Sequence, residues 1–182
     1  GPGARYVSAY NDPDVIAGQG TIVGELSGLG EEPVTIVTPV GGGGLAAGVG
    51  LAASVHEGVS VVGVQSEASH AMRSALEAGR IVAVEERPSL ADGLAGNLEP
   101  GSVTFDLVAR HVDDVVLVTE EEIASAMRLL AREHGLVVEG AGATGVAALV
   151  SGRLGARHGR TVVLLTGRNI APALLAHVLQ RA

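Results

Sequence analysis

The sequence predicts an α/β fold of three layers, a mostly parallel sheet with helices on both faces. Two observations carry that expectation. Continuously apolar runs, such as Val34-Thr35-Ile36-Val37-Thr38-Pro39-Val40, alternate with longer helical segments, and strands apolar on both sides belong to sheets covered on both faces. The chain is also 47% apolar, with 27 glycines and only 2% aromatics. Ala, Val, Leu and Gly therefore build the core, and small residues let helices lie close to a sheet.

The elements follow in order. Asp12-Pro13-Asp14 starts a helix: Asp12 caps it, Pro13 fits its first turn, and Val15-Ile16-Ala17 opens its apolar face. This helix is expected to reach about Leu26, with Gly28 and Gly30 ending it. The Val34 strand and a helix from Gly44 come next. Val59 to Val64 is a strand, and Ser69 to Ala78 is a helix closed by Gly79. Residues 84–104 are irregular, because Pro88, Gly93, Gly96, Asn97, Pro100 and Gly101 interrupt any period; long segments of this kind are often functional. A short helix spans Phe105 to Arg110, and Val115 to Val118 is a strand. Thr119 with Glu122 forms a capping box, and Ile123, Met127 and Leu130 mark the buried face of the helix it starts. Glu120, Glu121 and Glu122 are its acidic first turn. Val138 to Leu149 is a helix rich in Gly and Ala. Thr161 to Leu165 reads as a fully buried strand, with Thr166-Gly167-Arg168-Asn169 as its exit loop and Ala171 to Gln180 as a final helix.

Length and charge narrow the function. A chain of 182 residues suggests one domain. The opening Gly1-Pro2-Gly3 reads as a protease scar, so residues 1–5 are set apart as a linker and residues 6–182 are taken as a single α/β domain. The net charge of −8 argues against nucleic acid as a partner. No apolar run reaches the roughly 18 residues of a membrane span. The lack of cysteine excludes disulfides, thiolate metal sites and cysteine nucleophiles, and fits a cytoplasmic location. The histidines at 56, 70, 111, 134, 158 and 177 show no metal-ligand spacing.

The most informative segment is Gly41-Gly42-Gly43-Gly44 between the Val34 strand and its helix. Four residues without Cβ let backbone approach a ligand and turn through positive φ. Their N–H groups converge, and the helix start adds its positive dipole end. That is a phosphate cradle made from main chain. The chain has 12 arginine and lysine residues together, and every one is arginine.

Five landmarks then occur in order: Asp12 to Thr21, Pro39 to Leu45, Ala91-Asp92-Gly93, Val138 to Ala143, and Thr166 to Asn169. They resemble those of the pyridoxal-phosphate (PLP) dependent threonine/serine dehydratases, of the tryptophan-synthase-β-like (fold type II) group that includes serine racemase. The resemblance runs from about Tyr6 to Leu175 and covers the C-terminal portion of such an enzyme. It implies that Gly41, Gly42, Gly43 and Gly44 hold the PLP phosphate. It also implies that Thr166, where the family usually has serine, gives its hydroxyl to the pyridine nitrogen. Gly93 would pass its backbone close to the cofactor ring. Glu139 would lie near the cofactor as an auxiliary catalytic candidate, or serve as a first-turn glutamate facing the helix dipole. Asn169 would cap the last helix.

The resemblance also implies what is missing. The family's Schiff-base lysine and its asparagine and serine loops belong to a preceding segment, so this chain alone has no catalytic residue and no turnover is expected of it. The implied reaction of the whole enzyme is loss of the Cα proton and the β-hydroxyl from L-threonine or L-serine, followed by hydrolysis of the enamine to a 2-oxo acid and ammonia, with racemase or hydroxyaspartate lyase as near variants. Relatives such as serine racemase bind a divalent cation through two acidic side chains; Gln65 and Ala71 stand there, so no metal is expected, and Glu67 and His70 read as surface residues. Arg168 replaces the second glycine of the usual Ser-Gly-Gly-Asn turn, either meeting a carboxylate or phosphate or forming a structural ion pair.

Two other readings stay open on the residues. Gly42-x-Gly44-x-x-Ala47, with Glu67 about 20 residues onward, fits a relaxed dinucleotide-binding fingerprint and an oxidoreductase. A non-catalytic module that binds a phosphate ligand or assembles with itself is the other. An incomplete domain exposes apolar faces, so a homo-oligomer is expected.

Overall fold

The computed structural model describes residues 3–180, apart from residues 5, 27, 28 and 30. Gly28 and Gly30, expected to end the first helix, lie outside the described residues. The elements are α1 (Pro13–Gly24), β1 (Val34–Pro39), α2 (Gly44–Ala53), β2 (Val59–Ser66), α3 (Ala71–Ala78), α4 (Val103–His111), β3 (Asp114–Val118), α5 (Glu120–His134), α6 (Gly140–Val150), β4 (Arg160–Val163) and α7 (Pro172–Gln180). The strands form one sheet in the order β3-β2-β1-β4, and every pairing is parallel.

Alternation along β1 and β2 divides the core between two faces. Val34, Ile36 and Val61 pack with Val23 of α1 and Val49 and Ala53 of α2. Val37, Val62 and Val64 point the other way, into a cluster with Ile123 and Met127 of α5 and Ala143 and Ala147 of α6. Each fully buried aliphatic side chain of this kind contributes about 1.5–3 kcal/mol relative to exposure. The three-layer arrangement is as expected.

Small residues set the helix spacing. A Cβ on Gly20 of α1 would stand 2.8 Å from the Gly48 carbonyl oxygen of α2, and one on Gly50 would stand 2.6 Å from the His111 carbonyl oxygen at the end of α4. Helix α2 is thus wedged between α1 and α4. A glycine inside a helix costs about 1 kcal/mol against alanine, and here close packing is what it permits.

Two expectations need correction. The strand from Thr161 is not fully buried: β4 is the sheet's edge, every residue of Arg160–Val163 is partly exposed, and Leu165 beyond it is 40% exposed. Among the described residues β4 is paired on one side only, by β1. Asn169 does not cap the last helix, because α7 begins at Pro172 and the Asn169 N–H is used elsewhere, as described below.

The irregular segment 84–104 contains a single 3₁₀ turn, Asp92–Leu94. It is pinned by Glu120, whose Oε1 accepts from Ser66 Oγ (2.6 Å) and Ser89 Oγ (2.7 Å) and whose Oε2 accepts from Leu90 N–H (2.6 Å). The run Glu120-Glu121-Glu122 is therefore more than an acidic first turn.

The Thr119/Glu122 capping box forms in both directions, with Thr119 N–H donating to Glu122 Oε2 (2.7 Å) and Glu122 N–H to Thr119 Oγ1 (3.2 Å). Burial pushes the Glu122 carboxyl up, but the Thr119 N–H and the Arg153 guanidinium at 2.9 Å more than offset it and hold it below its ordinary value. A depressed carboxyl stabilises the fold above its unfolded value and loses that contribution as pH falls through the folded one. Glu122→Ala is thus expected to cost about 1 kcal/mol at neutral pH, and the gap in Tm between variant and parent should close as pH falls below the carboxylate range. A gap independent of pH in thermal scans would refute the charge contribution.

Candidate functional site

Strand order places the site. The chain adds β2 and β3 to one side of β1 and then returns to lay β4 on the other. In open parallel sheets, ligands bind beyond the carboxyl ends of strands where the order reverses. Here those ends carry the tetraglycine loop after β1 and the Thr166 loop after β4. The register pairs Val37 with Val163, so the two loops leave the sheet side by side.

A cavity of about 230 Å³ opens between them. Gly41, Gly42, Gly43, Gly44, Gly93 and Thr166 all line it, joined by Ala9, Tyr10, Gln19 and Leu94. Val40 N–H makes the last sheet-like bond, to the Val64 carbonyl (2.9 Å). Beyond it, no N–H from Gly41 to Ala46 has an acceptor among the described residues. Six consecutive donors without acceptors at a helix start form a ready anion site. Gly43 takes φ +90°, and a Cβ there would stand 2.6 Å from Met72 Cε. A Cβ on Gly42 would enter the Tyr10 ring.

Glu139 is the residue before α6, and its side chain does not cap that helix. Instead its Oε2 accepts the Asn169 N–H (2.8 Å), while its own N–H donates to the Gly167 carbonyl (3.0 Å). A Cβ on Gly167 would collide with its carboxylate, and one on Gly93 would lie 3.6 Å from Oε1. Glu139 therefore ties the exit loop of β4 to the amino end of α6, beside the Gly93 turn.

The Thr166 hydroxyl has no partner among the described residues. Thr166 also lines a larger cavity of about 460 Å³, with Gly135 to Val138 and Leu165 to Arg168. Arg168 is exposed and makes no ion pair among the described residues. Glu67 does not line the cradle. Its N–H joins the Val118 carbonyl (2.9 Å), continuing the β2–β3 pairing.

Sequence reasoning missed Tyr10, Gln19 and Leu94 as lining residues. The Tyr10 hydroxyl accepts the Glu99 N–H (3.0 Å), and burial raises the phenol above its ordinary value, opposed by that hydrogen bond and reinforced by the nearby Glu99 charge.

A family model described as pyridoxal-phosphate dependent enzyme matches residues 1–167. The chain belongs to that family. It is 42% identical over 180 residues to the L-threonine ammonia-lyase of Thermotoga maritima, covering 98% of this chain and 44% of that protein. It is 40% identical over 171 residues to the catabolic L-threonine dehydratase of Escherichia coli K12, covering 92% and 52%. The crystal structure of a threonine deaminase from T.th. matches with a TM-score of 0.80 at 36% identity, over 89% of this chain and 61% of that one. The chain spans about half the length of the curated relatives it matches. Family membership sets the dinucleotide reading aside.

The residues present fit part of the cofactor. Side-chain-free backbone with donors lacking acceptors suits a phosphate ester, and a hydroxyl without a partner suits a pyridine nitrogen. A Schiff base needs a lysine amine, and the sequence has no lysine.

Gly43→Ala is expected to weaken binding of PLP and of inorganic phosphate by at least about tenfold, because a left-handed residue and a tight contact are both disturbed. Equilibrium titration followed by cofactor absorbance measures this, and unchanged affinity would contradict the cradle. Glu139→Ala should free the Asn169 N–H, raise hydrogen exchange across residues 166–169, and leave exchange in α2 as it was. Equal exchange in parent and variant would remove the tie.

Proposed function

We propose that this chain is the cofactor-cradling portion of a PLP-dependent ammonia-lyase acting on L-threonine or L-serine, releasing a 2-oxo acid and ammonia. The carrying observation is that Gly41 to Leu45, five residues whose amides have no acceptor among the described residues, and Thr166 line one cavity at the reversal in strand order. The threonine ammonia-lyase and dehydratase identities support the reaction class.

Each residue has a definable task. Gly41 to Gly44 bind the phosphate through main chain, which anchors the cofactor without adding a titratable group. Thr166 orients the pyridine ring with a neutral hydroxyl, and Glu139 holds the loop that carries it. When bound, PLP supplies an electron-withdrawing ring that acidifies the Cα proton of an amino acid. The proton acceptor and the amine that carries the cofactor lie in polypeptide outside this sequence. Half-exposed β4, with Leu136, Val137 and Leu165 at 44%, 49% and 40% exposure around the larger cavity, supports further polypeptide packing there.

The experiment joins the chain to the coding sequence that precedes it in the gene. The preceding segment is expected to hold a lysine between serine and arginine, and the joined protein to release ammonia from L-threonine. The 182-residue chain alone should bind PLP as the free aldehyde, with no lysine-linked product after borohydride and no turnover. Turnover by the isolated chain, or a joined protein that binds PLP yet deaminates neither amino acid, would overturn the proposal.

A further inference from the structure

Thr104 is the second residue of α4, fully buried and outside the cavity lining. Its Oγ1 donates to the Gly42 carbonyl at 2.7 Å, 62 residues away in sequence. The same Oγ1 lies 2.7 Å from Ser102 Oγ, and Ser102 is only 4% exposed. A threonine hydroxyl has one proton. Since that proton goes to Gly42, the Ser102 hydroxyl must donate to Thr104. The relay therefore has one direction: Ser102 O–H to Thr104 O–H to the Gly42 carbonyl. Threonines in helices commonly bond back to their own turn; this one reaches outward to the glycine loop.

The consequence lies in the peptide plane. All described peptide bonds are trans, so the Gly42 carbonyl and the Gly43 N–H point in opposite directions. Holding the carbonyl toward Thr104 turns the Gly43 N–H away from the buried side. Glycine alone does not fix that plane, because without Cβ the ψ of Gly42 and the φ of Gly43 on either side of it are little restricted. Tyr10 bounds the loop on its other flank, against Gly42, and Met72 and Thr104 both abut Gly43.

We propose that Thr104 is a positioning residue. Its hydroxyl, oriented by Ser102, locks the Gly42–Gly43 plane so that the Gly43 N–H faces a bound phosphate ester. The proposal rests on the reading of the tetraglycine loop as the PLP phosphate site.

The test titrates the chain with PLP, with pyridoxal, which lacks the phosphate, and with inorganic phosphate as competitor. Thr104→Val removes the hydroxyl at nearly constant shape, and Thr104→Ser keeps it. Loss of one such bond corresponds to about a five- to tenfold change. Thr104→Val should weaken PLP and phosphate binding by that factor and leave pyridoxal unchanged. Thr104→Ser should return PLP affinity to within about twofold of the parent. A merely structural threonine would move pyridoxal and PLP alike, or lower Tm without changing their ratio, and either result overturns the role. If Thr104→Val does not fold, Thr104→Ala serves instead: it also removes the hydroxyl that holds the Gly42 carbonyl and should lower the PLP-to-pyridoxal preference, whereas an unchanged preference overturns the role. A parent chain that binds neither PLP nor phosphate refutes the cofactor reading, and the positioning role with it. A parent that binds both, with Thr104→Val equal to it, refutes Thr104 alone.

Discussion

Strand β4 lies against β1 on the side opposite β2, and that reversal creates the site. Neighbouring parallel strands release their chains at the same edge of the sheet. Where successive connections run to opposite sides, the two exit loops diverge and a crevice opens between them. The tetraglycine loop and the Thr166 loop occupy those two exits. The alternation of Val34 and Ile36 with Val37 fixes which helices cover each face, and the helices fix the crevice walls. A register slip in β1 would send every one of these side chains to the wrong face.

Rigidity at the crevice comes from the segments around it rather than from the glycines. Thr104 anchors Gly42 from beneath, and Tyr10 lies against the same residue. Tyr10 is held by the Glu99 N–H, and Asn11 bonds both Glu99 and the Val103 N–H. The chain before α1 is thereby strapped to the end of the irregular segment. Glu120 pins the other end of that segment, and Glu139 fastens the exit loop of β4. A loop with little backbone preference thus acquires one conformation from the attachments around it.

Much of this was legible in the sequence, and the rest was not for identifiable reasons. Strand and helix existence followed from period, and the Asp12 cap and the Thr119/Glu122 box followed from residues whose partners are three or fewer positions away. The tetraglycine loop between β1 and α2 was visible because its signal is local. Thr104, Glu120 and Tyr10 were not, since their partners lie 62, 54 and 89 residues away and an isolated Thr, Glu or Tyr carries no periodic mark. The fully buried reading of β4 failed because an apolar run records what a strand can pack against, and the described residues pair it on one side only. Glu139 was placed beside the right helix, but its side chain turned to Asn169 instead of the helix end.

The charge balance accords with the proposal of a phosphate site built from amides. The chain carries a net charge of −8, so its long-range field repels a phosphate ester. No arginine lines the cradle among the described residues, and α2 has no acidic residue in its first turn. Attraction must then act at short range, through N–H groups without internal acceptors and the helix dipole that falls off within one turn. Such donors cannot titrate or swing away, and their spacing is set by the fold. Their strength depends on orientation, and that is why the bonds holding the Gly42–Gly43 plane matter more here than they would beside a flexible cationic side chain.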